Sequence, residues 1–178
     1  MKLHKISSEA DIHFEDFWTI YHAAFPAEER REKEVLTSML ALPEMQAYAV
    51  IDENAVAGIL VFWELGDFTY LEHIAVNPAI RSKGHGGKIL SELKAIAQST
   101  ILLEVEIPAE EDSIRRIRFY ERNGFTSFPA FSYLQPSYDG VKSPLPMMLM
   151  ANDSTISDAQ LRAMAYALKR HIYERFYR

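Results

Sequence analysis

The feature that most constrains the fold of this chain is an apolar strand that runs into a glycine-rich turn and then into a helix. The strand pattern covers residues 69–76 and ends in an Asn-Pro pair. Three glycines within residues 84–87 follow, and apolar residues then recur over 89–97 at the spacing of one helical face. This order predicts a helix whose N-terminus opens directly from the turn after a strand.

The N-terminus of this helix predicts an anion-binding site. The N–H groups of a first helical turn have no acceptor within the helix, and the helix dipole places partial positive charge there. Glycines let the backbone approach a phosphate without a Cβ atom in the way. Basic side chains surround the glycines, at Arg81, Lys83 and Lys88. We therefore expect the turn to bind a pyrophosphate.

Two common phosphate-binding motifs do not fit this turn. The dinucleotide fingerprint G-x-G-x-x-G would need a different spacing from the glycines at 84, 86 and 87. The mononucleotide P-loop ends in G-K-[ST], whereas Lys88 is followed by Ile89. Residues 81–86 instead read Arg-Ser-Lys-Gly-His-Gly, which is the pattern R-x-x-G-x-G.

This hexapeptide resembles the acetyl-CoA pyrophosphate loop of the GNAT superfamily of N-acetyltransferases. The segment Val-Asn-Pro at residues 76–78 precedes it at the spacing of that family. A second block at residues 119–125, Phe-Tyr-Glu-Arg-Asn-Gly-Phe, resembles the later F-Y-x-x-x-G-F block of the family. Two separated blocks in the family's order therefore support the resemblance.

The resemblance implies an α/β (α+β) fold, the GNAT acyl-CoA N-acyltransferase fold, with a mixed central sheet flanked by helices. The element order predicted from the sequence is ααβββαβαββα, which is that fold plus one C-terminal helix. The acetyltransferase domain would occupy residues 1–152. Residues 153–178 would form a helix packed on the same domain or on a second subunit, as in a homodimer.

The resemblance also implies an activity. Such enzymes move the acetyl group of acetyl-CoA directly to a primary amine of a small molecule or peptide, through a ternary complex. The absence of cysteine agrees with transfer that needs no cysteine-bound acyl intermediate. The alternative is a non-catalytic acetyl-CoA-binding sensor or partner-binding module.

The resemblance assigns acetyl-CoA to three parts of the chain. The pantetheine arm would pair with the backbone of the strand that precedes the loop, and Ser113 stands where many relatives carry an asparagine that binds pantetheine. The pyrophosphate would lie on the loop itself. The expected strand residues are Ile74, Ala75 and Val76, and the expected loop residues are Arg81, Ser82, Lys83, Gly84, His85, Gly86 and Gly87.

Tyr120 and Glu72 are the predicted catalytic residues. Tyr120 matches the tyrosine that protonates the departing thiolate in many relatives, and a phenol keeps its proton at neutral pH. The alternative is a core tyrosine packed beside Phe119 and Phe125. Glu72 is a carboxylate within an apolar strand, close to the expected thioester, which suits a general base. The alternative is a carboxylate that faces solvent or pairs with an arginine.

Glu104 and Glu106 form a second pair of carboxylates, on the strand predicted over residues 101–107. They are placed to attract a cationic acceptor, and Glu104 is the next candidate for the base. His73 should point to the opposite face of its strand from Glu72 and is expected to be structural.

Composition limits the other classes of function. The formal net charge of −6 argues against a broad nucleic-acid interface. No apolar run approaches the ~20 residues that span a bilayer, and the N-terminal residues are polar. Without cysteine the chain has no disulfide or thiolate metal site. We therefore expect a cytoplasmic enzyme with no metal, no membrane partner and no nucleic-acid partner.

Overall fold

The structure is a computed structural model that describes residues 1–80 and 84–176. The predictions for Arg81, Ser82 and Lys83 therefore lie outside the described residues. Contacts between residues divide the chain into two compact units. The first contains Met1–Glu64 and Leu71–Ala97, and the second contains Leu65–Tyr70 and Gln98–Arg178.

In the residues that the structure describes, the first unit contains three α-helices and most of four strands. The strands are β1 (Lys2–Lys5), β2 (Met45–Asp52), β3 (Ala55–Glu64) and β4 (Phe68–Val76), and the helices are α1 (Phe14–Ala24), α2 (Lys33–Met39) and α3 (His85–Ile96). The strand order is β1-β2-β3-β4. Strands β2 and β3 form an antiparallel hairpin whose turn residues, Glu53 and Asn54, have φ of 48° and 66°.

Up to residue 176, the last that the structure describes, the second unit contains four further strands and two α-helices. They are β5 (Thr100–Glu106), α4 (Glu111–Arg122), β6 (Thr126–Ser127), β7 (Tyr133–Gln135), β8 (Leu145–Ala151) and α5 (Asp158–Leu168). Strand β8 pairs antiparallel with β5, β6 and β7. A π-helical turn over Lys169–Tyr173 and a 3-10 turn over Glu174–Phe176 follow α5. The predicted fold class, a mixed sheet flanked by helices, is confirmed.

The end of β4 is fixed by the side chain of Asn77. Its Nδ2 group donates to the carbonyl of Val56 at 3.0 Å, and its Oδ1 atom accepts from the N–H of Ala79 at 3.0 Å. The backbone N–H of Asn77 donates to the carbonyl of Ala57 at 2.9 Å. These bonds hold the strand to β3 and close a 3-10 turn over Pro78–Ile80. The Asn-Pro pair therefore ends the strand, as the sequence predicted.

A glycine in β3 lets helix α3 approach the end of β4. A Cβ atom built on Gly58 would lie 2.4 Å from the carbonyl oxygen of Ala75 and 2.8 Å from Cδ1 of Ile89. Ile89 is fully buried and lies on the first turns of α3. Only glycine leaves room for this contact.

Three parts of the predicted element order differ from the structure. Strand β1 was not predicted, because its four residues carry too short a pattern. The acidic start at residues 28–29 and the proline at 43 predict one helix over residues 28–42. The helix covers only Lys33–Met39, because the backbone of Glu29 and Arg31 bonds to other parts of the chain instead. The apolar pattern over residues 125–134 predicts one strand, whereas the structure has two short strands there, β6 and β7. Among the described residues, no helix is long and apolar enough to cross a membrane.

Candidate active site

The first turn of α3 has the geometry that an anion site requires. Gly84 precedes the helix in the left-handed conformation, with φ of 72°, which favours glycine. The first bond to close the helix runs from the N–H of Lys88 to the carbonyl of Gly84, at 3.3 Å. The N–H groups of His85, Gly86 and Gly87 therefore have no acceptor within the helix. These three N–H groups can donate to a phosphate.

The side chain of His85 is buried beside the end of β2. His85 is 6% exposed, and its Nδ1 atom lies 3.6 Å from Oδ2 of Asp52 at the end of β2. The imidazole therefore points into the first unit, which leaves the backbone N–H as the group that His85 can offer a ligand.

The predicted pantetheine segment lies at the end of β4, in the same unit as the start of α3. Ile74 and Val76 are half-buried, whereas Ala75 is buried against Gly58. The two predicted acetyl-CoA segments that the structure describes, residues 74–76 and 84–87, thus both belong to the first unit.

Glu72 lies in a buried ion pair. Its Oε1 atom accepts from Nη2 of Arg31 at 2.9 Å, and its Oε2 atom accepts from Nε1–H of Trp63 at 2.7 Å. The side chains of Glu72 and Arg31 are each 1% exposed. Burial alone would raise the pKa of Glu72, but the charge of Arg31 and the bond from Trp63 outweigh it and lower the pKa below its usual value. Glu72 is therefore ionised and held by two donors.

Two residues beside this ion pair hold the chain between α1 and α2. The N–H of Arg31 donates to the hydroxyl of Tyr21 at 2.9 Å. The imidazole of His73 bonds the carbonyl of Glu29 through Nε2 at 2.9 Å, so Nε2 carries the proton. Burial lowers the pKa of His73. The neutral imidazole and the Arg31 pair together fix residues 29–31 on β4, which sequence reasoning did not foresee.

Tyr120 lies on α4 with its ring packed between two phenylalanines. The centroid of its ring is 5.2 Å from that of Phe119 and 5.7 Å from that of Phe125. Burial raises the pKa of Tyr120 to about 12, although Arg116 opposes the shift. The phenol therefore keeps its proton at neutral pH. The packing predicted for a core tyrosine is present, and it leaves the hydroxyl chemically able to donate.

The hydroxyl of Ser113 is engaged at the start of α4. Its Oγ atom accepts from the N–H groups of Ala109 and Glu110, at 3.2 and 3.1 Å, and donates to the carbonyl of Glu110 at 2.8 Å. Ser113 is 6% exposed. Its hydroxyl stabilises the start of the helix, so a bond to pantetheine would have to replace one of these contacts.

The two carboxylates of β5 have different surroundings. Glu106 forms an ion pair with Arg116 at 2.6 Å, and both side chains are exposed by more than a third. Glu104 is half-buried and accepts hydrogen bonds from three tyrosine hydroxyls and one amide. We call this group the Glu104 cluster: Glu104, Tyr70, Tyr133, Gln135 and Tyr173. Sequence analysis predicted Glu104 and missed the other four, which lie far from it in the chain.

Comparison with known proteins indicates the family to which the chain belongs. The model of the acetyltransferase (GNAT) family matches residues 12–125. A curated relative from Bacillus subtilis (strain 168), named "Putative acetyltransferase YjbC", is 33% identical over 116 residues, which are 64% of this chain and 58% of that protein. The chain therefore matches only a little over half the length of this relative.

Solved structures support the same family. A GNAT-family protein from Bacteroides thetaiotaomicron is 31% identical, with a TM-score of 0.90 over 97% of this chain and 98% of that one. A GNAT family acetyltransferase from Elizabethkingia anophelis, solved with acetyl-CoA bound, is 16% identical, with a TM-score of 0.58 over 84% of this chain and 95% of that one. The second likeness shows the fold alone. The chain belongs to the GNAT family of acetyltransferases.

Proposed function

We propose that the protein is an N-acetyltransferase that moves the acetyl group of acetyl-CoA directly to a primary amine of a small molecule or peptide. The observation that carries the proposal is the first turn of α3. It combines three N–H groups without helical acceptors with a left-handed glycine, inside the region that matches the family.

Acetyl-CoA is the proposed co-substrate, carried over from the relative that has it bound. The described residues fit such a ligand, because the start of α3 offers N–H donors to a pyrophosphate and no acidic side chain lies in its first turn. We propose that residues 84–87 hold the pyrophosphate and that the backbone of residues 74–76 pairs with the pantetheine arm. Arg81, Ser82 and Lys83 are proposed to complete the loop.

Acetyl-CoA supplies an acyl group activated as a thioester. The chain must position a neutral amine against it, stabilise the oxyanion that forms and provide a proton for the thiolate that leaves. We propose Tyr120 as the proton donor, because its phenol is protonated at neutral pH. Removing the hydroxyl while keeping the ring would isolate this role.

The proton of the attacking amine needs an acceptor. Glu72 is our proposed acceptor, directly or through water, and it is ionised as a base must be. Its ion pair with Arg31 and its bond from Trp63 also make it a weaker base. A base and a fixed anion predict different dependence of kcat/KM on pH.

The proposal is tested by measuring thiol release from acetyl-CoA with a panel of polyamines, aminoglycosides, amino acids and peptide N-termini. We expect turnover with at least one amine. In Tyr120→Phe we expect turnover to fall by about 10²- to 10⁴-fold, the usual size for loss of a general acid, with unchanged affinity for acetyl-CoA. Tyr166→Phe, which removes the hydroxyl of an exposed tyrosine, is the control.

The alternative function is separated by the same assay. Binding of acetyl-CoA without turnover on any amine would indicate a sensor or a partner-binding module and would contradict the proposal. Wild-type turnover in Tyr120→Phe would agree with acetyl transfer but would contradict the proposed role of Tyr120 as the proton donor.

A further inference from the structure

The segment between α1 and α2, residues 25–32, is held in place mainly by side chains rather than by backbone bonds of its own. A backbone bond within it runs from the N–H of Glu29 to the carbonyl of Pro26, at 3.0 Å. The contacts of Glu29 and Arg31 with β4 and with Tyr21 fix its second half. All of these residues belong to the first unit. Segments of this kind open locally at a smaller cost in free energy than the strands of a core.

Arg30 joins this segment to the end of α1. Its Nη1 group donates to the carbonyls of Phe25 and His22, at 2.9 and 3.4 Å, and its Nη2 group lies 2.8 Å from Nε2 of the His22 imidazole. A guanidinium has donors only and is not deprotonated in proteins, so Nε2 of His22 has to be the acceptor. The contact therefore requires the neutral imidazole, with its proton on Nδ1.

Uptake of a proton by His22 would remove the acceptor from this contact. The charged imidazole has an N–H donor on each nitrogen, so it offers Arg30 no lone pair and places a second positive charge beside it. Histidine is the side chain whose charge changes between about pH 5 and 8. His22 is exposed, and it lies in the last turn of α1, where the helix dipole favours a positive charge. Its ring neighbour Trp18, with centroids 5.6 Å apart, is uncharged.

Arg31, the next residue in the chain, links this contact to β4. Its guanidinium pairs with Glu72, so the position of that ion pair depends on where the segment lies. His73 lies beside the same pair, and burial above all, together with the charge of Arg31, lowers its pKa. The charge of Glu72 opposes this shift without reversing it. Of the two histidines that contact the segment, His22 is the exposed one, and it can take up a proton while the fold stays intact.

We propose that the contact between His22 and Arg30 is a pH-sensitive latch on the segment between α1 and α2. While His22 is neutral, the latch holds residues 25–32 against α1 and β4. When His22 takes up a proton, Arg30 turns away and the segment opens, which releases Arg31 from its fixed position beside Glu72. This inference concerns the folded chain alone and goes beyond the proposed acetyl transfer.

Amide hydrogen exchange of the full chain, followed by NMR, tests this latch. The N–H of Arg31 donates to the hydroxyl of Tyr21 at 2.9 Å and is protected while the segment is closed. Each exchange rate is divided by the intrinsic rate at that pH, and amides of the buried strand β3 report unfolding of the whole unit in the same samples. From about pH 8 to 5, we expect the protection of Arg31 to fall about tenfold relative to β3, a usual size for two coupled equilibria. The fall should follow the ring signals of His22.

Substitutions of His22 separate its neutral state from its charged state. In His22→Gln the amide oxygen can accept from Arg30 at any pH, so the protection of Arg31 should stay high throughout. In His22→Lys a charged amine stands beside Arg30 at every pH used, so protection should already be low at about pH 8. Because His22 is exposed, neither change should disturb the fold. The control is His171→Gln, which removes an exposed histidine of the second unit and should keep the wild-type pH dependence.

Two results would overturn the latch. If the ring signals of His22 show its protonation while the protection of Arg31 in the wild type does not change, the contact does not hold the segment. An unchanged pH dependence in His22→Gln would assign the opening to another group, with His73 as the next candidate. The experiment uses no acetyl-CoA, so neither result bears on the proposed acetyl transfer, which has its own assay.

Discussion

At the scale of single residues, the buried ion pair of Glu72 conflicts with the role of general base that the sequence predicted for it. The sequence allowed either a general base or a partner for an arginine, and the structure pairs it with Arg31 at 2.9 Å. Breaking one side of a buried ion pair leaves an uncompensated charge. Stability and catalysis must therefore be measured separately in any variant of Glu72.

Glu72→Gln keeps the shape of the side chain and removes its charge. We expect the free energy of unfolding to fall by about 3–5 kcal/mol, because Arg31 loses its buried partner. If Glu72 is the base, kcat/KM should also fall by about 10²-fold, with loss of the acidic limb of its pH profile. Urea unfolding and pH–rate measurements check the two effects. A pH profile that overlays the wild type would make Glu72 a fixed anion, and the proton would leave by another route.

The neutral histidine beside this pair makes stability depend on pH. Burial lowers the pKa of His73 in the native state, whereas the unfolded chain takes up a proton near pH 6.5. Stability should therefore decline as the pH falls below about 6.5, with a slope of up to about 1.4 kcal/mol per pH unit from this group. His73→Gln keeps an amide donor for Glu29 and should flatten that decline. His171→Gln, at an exposed site, should not. An unchanged slope in His73→Gln would assign the decline to other groups.

At the scale of elements, the parts that could be predicted from the sequence are those fixed by neighbours in the chain. Asn77 ends β4 through bonds to its own turn and to β3, and glycine at 84 permits the left-handed residue before α3. The pair of Arg31 and Glu72 joins residues 41 apart, and the bond of Tyr173 to Glu104 joins residues 69 apart. No local pattern indicates such partners, because the sequence around a residue shows its neighbours in the chain and not the residues that folding brings to it.

The anion site at α3 gives a prediction at this scale. Gly86→Asp places a negative charge among the first-turn N–H groups, where the proposed pyrophosphate would lie. An aspartate near a helix N-terminus favours the helix, so folding should be kept. Repulsion should weaken acetyl-CoA binding by on the order of a few kcal/mol in a partly buried site. Calorimetry measures the affinity, and Gly86→Ala separates the effect of the charge from that of the added Cβ. Equal affinities for acetyl-CoA in the wild type and in Gly86→Asp would contradict the proposed binding of the pyrophosphate at this turn.

At the scale of the whole molecule, the C-terminal segment contributes to the core of its own chain. Leu161, Leu168 and Ile172 are each at most 1% exposed within the single chain, and Tyr173 bonds Glu104 and Gln135. Met164 and Phe176, which share the helical spacing of these three apolar residues in the sequence, are half-buried. The apolar face of the segment is thus covered largely without a second copy. A homodimer contact through the half-buried residues stays a prediction.

Leu168→Ala tests how much the native state depends on this segment. Truncating a buried leucine costs about 2–5 kcal/mol, from lost burial and the cavity left behind, and whole domains are stable by only about 5–15 kcal/mol. We therefore expect a large drop in the denaturation midpoint with no change in mass by light scattering. Tyr166→Ala, on the same helix but 66% exposed, should stay within about 0.5 kcal/mol of the wild type. Should Leu168→Ala instead leave stability intact and convert a dimer into monomers, the segment would serve a second copy of the chain rather than its own core.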